Sequence, residues 1–276
     1  MMCRVLEVSR AGYYAWRART PSAAERRREK LTEQITTIHA EVKGRYGSPR
    51  IHAELVARGT MCCVNMVAEV MRAAGIVAKT KRKFRQTTDS NHALPVAENR
   101  LDRAFDPEEP NASWVADVTY IPTREGWLYL AVVEDLFSRM VVGWSMDRTM
   151  TSRLVVDALE MALSRRLKGS SSSELIAHSD RGSQYASEHY RRRLREERIE
   201  CSMSRRGNCW DNAPMESFFA SLKKELVHHE DYATREQAKA SIFEYIEAFY
   251  NRVRRHSSLG YVAPAEYERA HNQQHR

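Results

Sequence analysis

Three acidic residues of this chain stand where a carboxylate is costly unless it has a task. Asp117 sits in the apolar, β-prone run Val115-Ala-Asp-Val118, where an uncompensated charge is expensive. Asp180 closes the short apolar stretch 175–179 within His178-Ser-Asp-Arg-Gly182, and carboxyl ends of strands are common active-site positions in α/β sheets. Glu216 follows in Asn212-Ala-Pro-Met-Glu-Ser217, with 35 residues between it and Asp180. Three carboxylates suit phosphodiester hydrolysis and strand transfer, in which charge must be neutralised at a pentavalent phosphorus. Two metal ions roughly 3.5–4 Å apart can activate the attacking oxygen and stabilise the leaving one. Mg²⁺, for which Mn²⁺ can substitute, is a hard cation that prefers carboxylates and water. In such a centre Asp117 bridges the ions, while Asp180 and Glu216 each hold one side.

Other side chains near these positions admit two readings each. Lys223 lies seven residues after Glu216, close to two helical turns, so both project from one helix face. It reads as a DNA-phosphate contact near the cleavage point, or as a solvated lysine with Glu225 nearby. Asn212, one turn before Glu216, orders a metal-bound water or phosphate, or caps the helix. His178 shares a strand face with Asp180, as a metal or phosphate contact or as a satisfied core histidine. Trp210 is expected to pack beneath the last helix rather than to stack on a DNA base. The run Arg191-Arg-Arg193 with Arg195 tracks a DNA backbone, or forms a salt-bridged helix surface with Glu196 and Glu197. The five cysteines are odd in number and hold no CxxC pair, which suggests neither a disulfide framework nor a zinc site.

The elements that must position these residues follow from spacing. Leu31, Ile35 and Ile38 give residues 22–43 a helical stripe, and Tyr46-Gly-Ser-Pro49 breaks it as a turn. Residues 50–58 form a second helix ending at Gly59. Residues 65–74 form a third, with Asn65 as N-cap and Gly75 as stop. Followed by the basic arm Lys79-Thr-Lys-Arg-Lys83, these helices read as a helix-turn-helix unit, or as plain helical packing. In the first reading the DNA-binding candidates are Arg50, Lys81, Arg82 and Lys83. Residues 86–110, with Pro95, Pro107 and Pro110, read as a linker with short ordered pieces. Beyond it, 114–122, 127–135 and 139–146 read as an antiparallel meander. A helix capped by Thr151 runs to about 167, a strand covers 175–179, a helix 184–197 and a short strand 199–203. A long helix starts near Asp211. That order predicts an α/β, RNase H-like mixed sheet flanked by helices, preceded by an all-α segment.

Residues 1–90 carry 18 Lys/Arg against 8 Asp/Glu, a net of +10, while the rest of the chain nets −2. A basic segment on a near-neutral body suggests a polyanion-binding module attached to something else, or a solubilising surface. No apolar run reaches the ~18–20 residues of a membrane span, and the N-terminus lacks the apolar stretch of a signal peptide. A cytoplasmic, nucleoid-associated protein without membrane contact is expected.

The surrounding words narrow the chemistry. Asp117, Asp180 and Glu216 at this spacing resemble the DDE triad of retroviral-integrase-type recombinases. Trp114-Val-Ala-Asp-Val-Thr-Tyr-Ile121, His178-Ser-Asp-Arg-Gly-Ser-Gln-Tyr185 and Cys209-Trp-Asp-Asn-Ala-Pro-Met-Glu-Ser-Phe218 are similar to OrfB-type insertion-sequence transposases. So are Tyr250-Asn251, Arg255-His-Ser-Ser-Leu-Gly-Tyr261 and Pro264, and Tyr46-Gly-Ser-Pro-Arg-Ile-His52 resembles the helix-turn-helix segment of that group. The resemblance implies a DNA-binding region over 1–85, a linker over 86–110, an integrase catalytic core with a helical extension over 111–267, and a tail over 268–276. It implies metal-dependent cleavage and joining of element ends. The DNA partners are the terminal inverted repeats and the target. A homo-oligomer and an OrfA partner or fusion are implied as well. In integrase-like enzymes a basic residue at the position of Lys223 is a DNA-end contact. The alternative is a DNA-binding regulator of transposition that does not catalyse.

Overall fold

The apolar stripe of Leu31, Ile35 and Ile38 becomes the seam of an N-terminal helical unit in the computed structural model, which describes residues 2–5, 7–79, 95–167, 174–205 and 208–275. The chain divides into two units, Met1–Lys79 and Thr80–Arg276. The first holds α1 (Met2–Val5), α2 (Arg10–Arg17), α3 (Ala23–Glu41), α4 (Ser48–Ala57) and α5 (Val64–Ala73). Ser22 starts α3 with a capping box: its hydroxyl accepts from the Glu25 amide at 3.2 Å, and its own amide donates to the Glu25 carboxylate at 2.6 Å. The α3 stripe is buried together with Ile51 and Leu55 of α4 and Val67 and Val70 of α5. Gly59 and Gly75 follow α4 and α5 at φ +81° and +67°, the left-handed stop that glycine adopts without strain. The N-cap of α5 is Cys63, not the expected Asn65. Val64 already lies in the helix, so Asn65 falls inside the first turn. The helix α2 was not expected; it buries no residue, so it leaves no core periodicity in the sequence.

In the second unit five strands lie in the order β3-β2-β1-β4-β5. They are β1 (Ser113–Thr123), β2 (Gly126–Asp135), β3 (Met140–Asp147), β4 (Ile176–Ser179) and β5 (Glu200–Met203). The first three form the antiparallel meander; β4 joins β1 in parallel, and β5 joins β4 in parallel. This is the RNase H-like mixed sheet. The helix α6 (Ser152–Arg166) lies against β2 and β3 and buries Leu154, Val155, Ala158, Leu159, Ala162 and Leu163. Its approach to Gly143 is close enough that a Cβ there would stand 2.2 Å from the Ala158 carbonyl oxygen and 2.8 Å from the Ala162 amide nitrogen. Because the obstacle is backbone, Gly143→Ala is expected to destabilise by at least ~1–3 kcal/mol. A urea midpoint within error of wild type would contradict the packing.

The helix expected over 184–197 is two: α7 (Ser183–Ala186) and α8 (Glu188–Glu196). Ser187 between them is extended, and its hydroxyl caps α8 by accepting from the Tyr190 amide at 3.3 Å. The last long helix likewise begins with a 3-10 turn, Cys209–Asn212, before α9 (Ala213–Glu225) with Pro at its start. Next come α10 (Arg235–Phe243), a π-helical stretch over Glu244–Tyr250, and α11 (Pro264–Gln274). The Asn251 side chain accepts from the Val141 amide at 3.0 Å and donates to its carbonyl at 2.9 Å. It thereby covers backbone groups of the edge strand β3, which edges otherwise expose to foreign pairing. Within the expected linker, residues 86–94 lie outside the described residues. Leu101 is buried, and its amide and that of Arg100 donate to the Ser202 hydroxyl on β5 at 3.2 and 2.9 Å.

Glu134 of β2 is only 1% exposed and accepts from the Tyr250 hydroxyl at 3.4 Å. Burial pushes its carboxyl up to about 8, against the pull of Arg139. The folded chain therefore keeps a proton that the unfolded chain releases at ordinary glutamate pKa. Stability from this group is full below that pKa and is lost as pH rises toward 8, by up to about 1.4 kcal/mol per pH unit. Asp135, pushed up to about 6 by burial, acts in the same direction. Melting temperature is expected to fall from pH 5 to pH 8, and Glu134→Gln to flatten that slope. An unchanged slope in the variant would refute the assignment.

Candidate active site

Strand register brings the first two carboxylates together. In the parallel pair of β1 and β4, Ala116 stands opposite Ser179. The residues that follow are Asp117, within β1, and Asp180, just past the end of β4, and neighbouring strands lie about 4.8 Å apart. Both residues are half-buried. The Asp117 carboxylate accepts from the Val118 amide at 2.7 Å, and that of Asp180 from the Gly182 amide at 2.8 Å. A Cβ at Gly182 would stand 2.9 Å from the Asp180 Oδ1, so the bare glycine permits this turn. Burial raises the Asp117 carboxyl well above the usual range, and the negative charge of Asp180 raises it further. Glu216 adds a weaker repulsion and Lys223 a partial relief.

The helix α9 presents the third carboxylate. Glu216 lies in its first turn with an exposed side chain, and desolvation raises its carboxyl. Two turns on, Lys223 is 7% exposed, with its ammonium 4.9 Å from the Tyr120 ring centroid. It is not the solvated lysine of the alternative reading, and Glu225 is occupied by Arg254 instead. Burial lowers the Lys223 pKa, while attraction to Asp117 opposes the shift. Asn212 does not cap with its side chain. Its amide nitrogen donates to the Ala116 carbonyl at 3.4 Å, and among the described residues its buried Oδ1 has no hydrogen-bond partner. The buried Tyr185 hydroxyl has no hydrogen-bond partner among the described residues; burial opposes its ionisation, and the charges of Asp117 and Asp180 add to that.

Sequence reasoning missed the group that holds this end of α9. Asp211 is buried and receives the Arg103 Nε at 3.0 Å, the Asn99 amide nitrogen at 3.1 Å, and the Arg205 backbone and Nε nitrogens, both at 2.9 Å. Hydrogen bonds from the Arg205 side chain, set against the cost of burial, hold its carboxyl below the usual range. Its only sequence signal is its place between Trp210 and Asn212. Trp210 contradicts the expected packing: it is 69% exposed, because the bonds of Asp211 turn the neighbouring side chain inward and leave the indole outside.

The remaining candidates resolve differently. His178 is a satisfied core histidine, with Nδ1 2.8 Å from the Ser202 hydroxyl and Nε2 3.1 Å from that of Ser204. Burial pushes it down to about 4, so it is neutral. The arginines of α8 form a salt-bridged surface: Arg191 and Arg195 pair with Glu188, Arg192 with Glu196, and Arg193 with Glu160 and Glu197. Arg50 in the first unit lies over the Tyr46 ring at 5.8 Å. Lys81, Arg82 and Lys83 lie outside the described residues.

The donor set fits a hard divalent cation. Asp117 and Asp180 offer oxygen ligands whose mutual repulsion a cation relieves, and the orphaned Asn212 Oδ1 and Tyr185 hydroxyl supply polar atoms beside them. Among the described residues no three His, Cys, Asp or Glu side chains already enclose an ion position, in keeping with the exposed stance of Glu216. No described helix is long and apolar enough to cross a membrane.

A family model described as an integrase core domain matches residues 107–209, a second of that description matches 216–271, and an HTH-like domain model matches 26–84. The chain is 45% identical over 269 residues to the transposase InsF for insertion sequence IS3A of Escherichia coli strain K12, covering 97% of this chain and 92% of that protein. It is 44% identical over 272 residues to an insertion element IS600 31 kDa protein of Shigella sonnei, covering 99% of each. Among solved structures, the HTLV-2 integrase catalytic core domain in complex with magnesium matches at TM-score 0.43 and 19% identity, covering 58% of this chain and 97% of that one.

Proposed function

We propose, from the premise that this chain belongs to the insertion-sequence transposases with an integrase core domain, that it cleaves element ends and joins the freed 3′-OH to target DNA through Asp117, Asp180 and Glu216. The observation that carries this reading is the β1–β4 register, which sets Asp117 beside Asp180 within reach of the first turn of α9. Mg²⁺ or Mn²⁺ would be held by Asp117, Asp180 and Glu216 and would supply charge neutralisation at phosphorus. In cleavage a water oxygen forms the new bond to phosphorus and the 3′ oxygen leaves with the proton that the water gives up. In joining, the oxygen of that 3′-OH forms the new bond to a target phosphorus, and the target 3′ oxygen leaves, taking up the proton that the attacking hydroxyl gives up. Lys223, with its ammonium over the Tyr120 ring and attracted by the charge of Asp117, neutralises phosphate charge at the cut strand. Asn212 orders water or phosphate through its orphaned Oδ1.

The HTH-like region, with Arg50 and the Lys81–Lys83 arm, contacts the terminal inverted repeats. Synapsis of two ends calls for at least a dimer, and an OrfA partner or fusion supplies further end recognition. The test is incubation of purified chain, with and without OrfA, on labelled element-end duplex in Mg²⁺ and in chelator. Metal-dependent nicking and joining are expected. Binding without cutting in every condition would support the non-catalytic regulator instead.

A further inference from the structure

Trp210 is a large aromatic side chain held out in solvent on a backbone that is tied down on both sides. Its own amide donates to the Asn208 Oδ1 at 3.2 Å, and the same oxygen receives the Arg103 guanidinium at 3.2 Å. The next residue, Asp211, is gripped by Arg103, Arg205 and Asn99. The indole nevertheless remains 69% exposed. The exposed Trp127 lies edge-on to Tyr120 at 4.9 Å, and Trp16 stands 6.1 Å from Tyr13. The Trp210 ring has no aromatic partner among the described residues. It stands two residues before Asn212 and six before Glu216, flanked by the half-exposed guanidiniums of Arg103 and Arg205.

A flat π-face on a fixed backbone, with guanidiniums close by and six residues before Glu216, suits one ligand chemistry. Bases of every kind offer a face to an aromatic ring, and basic side chains alongside take the phosphates. We propose that the Trp210 indole stacks on an unpaired base of the element-end DNA beside the scissile phosphate. This rests on the transposase reading above. Trp210 binds substrate and sets its position; it takes no part in bond making. A base held out of the duplex in this way opens the strand end at the carboxylates.

The test is a cycle of binding measurements with the full chain on element-end duplexes. Each duplex lacks one base, in turn, over the three positions on either side of the cleaved bond. Wild type, Trp210→Phe and Trp210→Ala are compared. Trp210→Ala is expected to weaken binding about tenfold on intact DNA, in line with the usual worth of a base–aromatic stack. It should cost nothing further on the one duplex whose stacked base is missing. Trp210→Phe, which keeps a ring, should stay within about threefold of wild type. If Trp210→Ala equals wild type on intact DNA, or costs the same whichever base is absent, the stacking proposal is overturned. It is equally overturned if the variant changes only the oligomeric state, since the ring then meets protein. Cleavage of intact duplex by wild type in Mg²⁺ reports separately on the transposase reading. A chain that binds and shows the cycle but never cuts would overturn catalysis while upholding the stack.

Discussion

Asp117→Asn is expected to lower end cleavage by about a thousandfold, the effect of removing roughly 4 kcal/mol of metal-borne charge stabilisation. DNA binding should stay within a few-fold of wild type. The expectation follows from what surrounds the residue. Burial and the neighbouring Asp180 already disfavour the ionised Asp117, so the carboxylate is costly when no cation accompanies it. Exchange for the isosteric amide removes that cost together with the ligand. The metal-free variant should therefore melt no lower than wild type, and its melting temperature should gain less from added Mg²⁺ than that of wild type. Chelation of the wild type should mimic the variant in cleavage. Residual activity within tenfold of wild type would mean that another group holds the metal. A loss of activity matched by a loss of fold would leave the role structural.

Arg254→Met is expected to be the most damaging change to stability, at about 3–5 kcal/mol. Arg254 and Glu225 have side chains only 3% and 4% exposed. The guanidinium donates to Glu225 through Nε and a terminal nitrogen at 2.8–3.1 Å, and to the Ser221 hydroxyl at 2.9 Å. The Tyr245 hydroxyl adds a further bond to Glu225 at 2.9 Å. Loss of the arginine alone strands a buried carboxylate. The double variant Arg254→Met/Glu225→Leu should recover most of the loss, because a buried pair and a well-packed apolar pair are often close in energy. Urea unfolding measures both. A single variant within 1 kcal/mol of wild type would show that water reaches Glu225. Because Glu225 ends the helix that carries Glu216 and Lys223, a measurable fall in cleavage at permissive temperature should accompany the stability loss.

Much of this molecule is written locally in its sequence. Asp117 in an apolar strand, Asp180 at a strand end and Glu216 near a helix start are positions where a charge declares itself against its neighbours. The meander was readable because short loops force consecutive strands to pair, and α3 because Leu31, Ile35 and Ile38 repeat at helical spacing. The family words around the carboxylates carried the rest of the functional expectation, and comparison with the E. coli and Shigella proteins agrees with it. Tertiary structure decided what depends on partners distant in the chain. The parallel register of β1 with β4 makes neighbours of Asp117 and Asp180, a pairing between segments about sixty residues apart that no local pattern encodes. Lys223 became a buried cation over Tyr120 instead of a solvated one, and His178 a core group, because Ser202 and Ser204 arrive from another strand. Asp211 turned inward to arginines that lie as far as 108 residues before it, and so put Trp210 outside. Charge and hydrophobic period specify which side chains can be buried. Which partners then satisfy them is settled only when the chain brings both together.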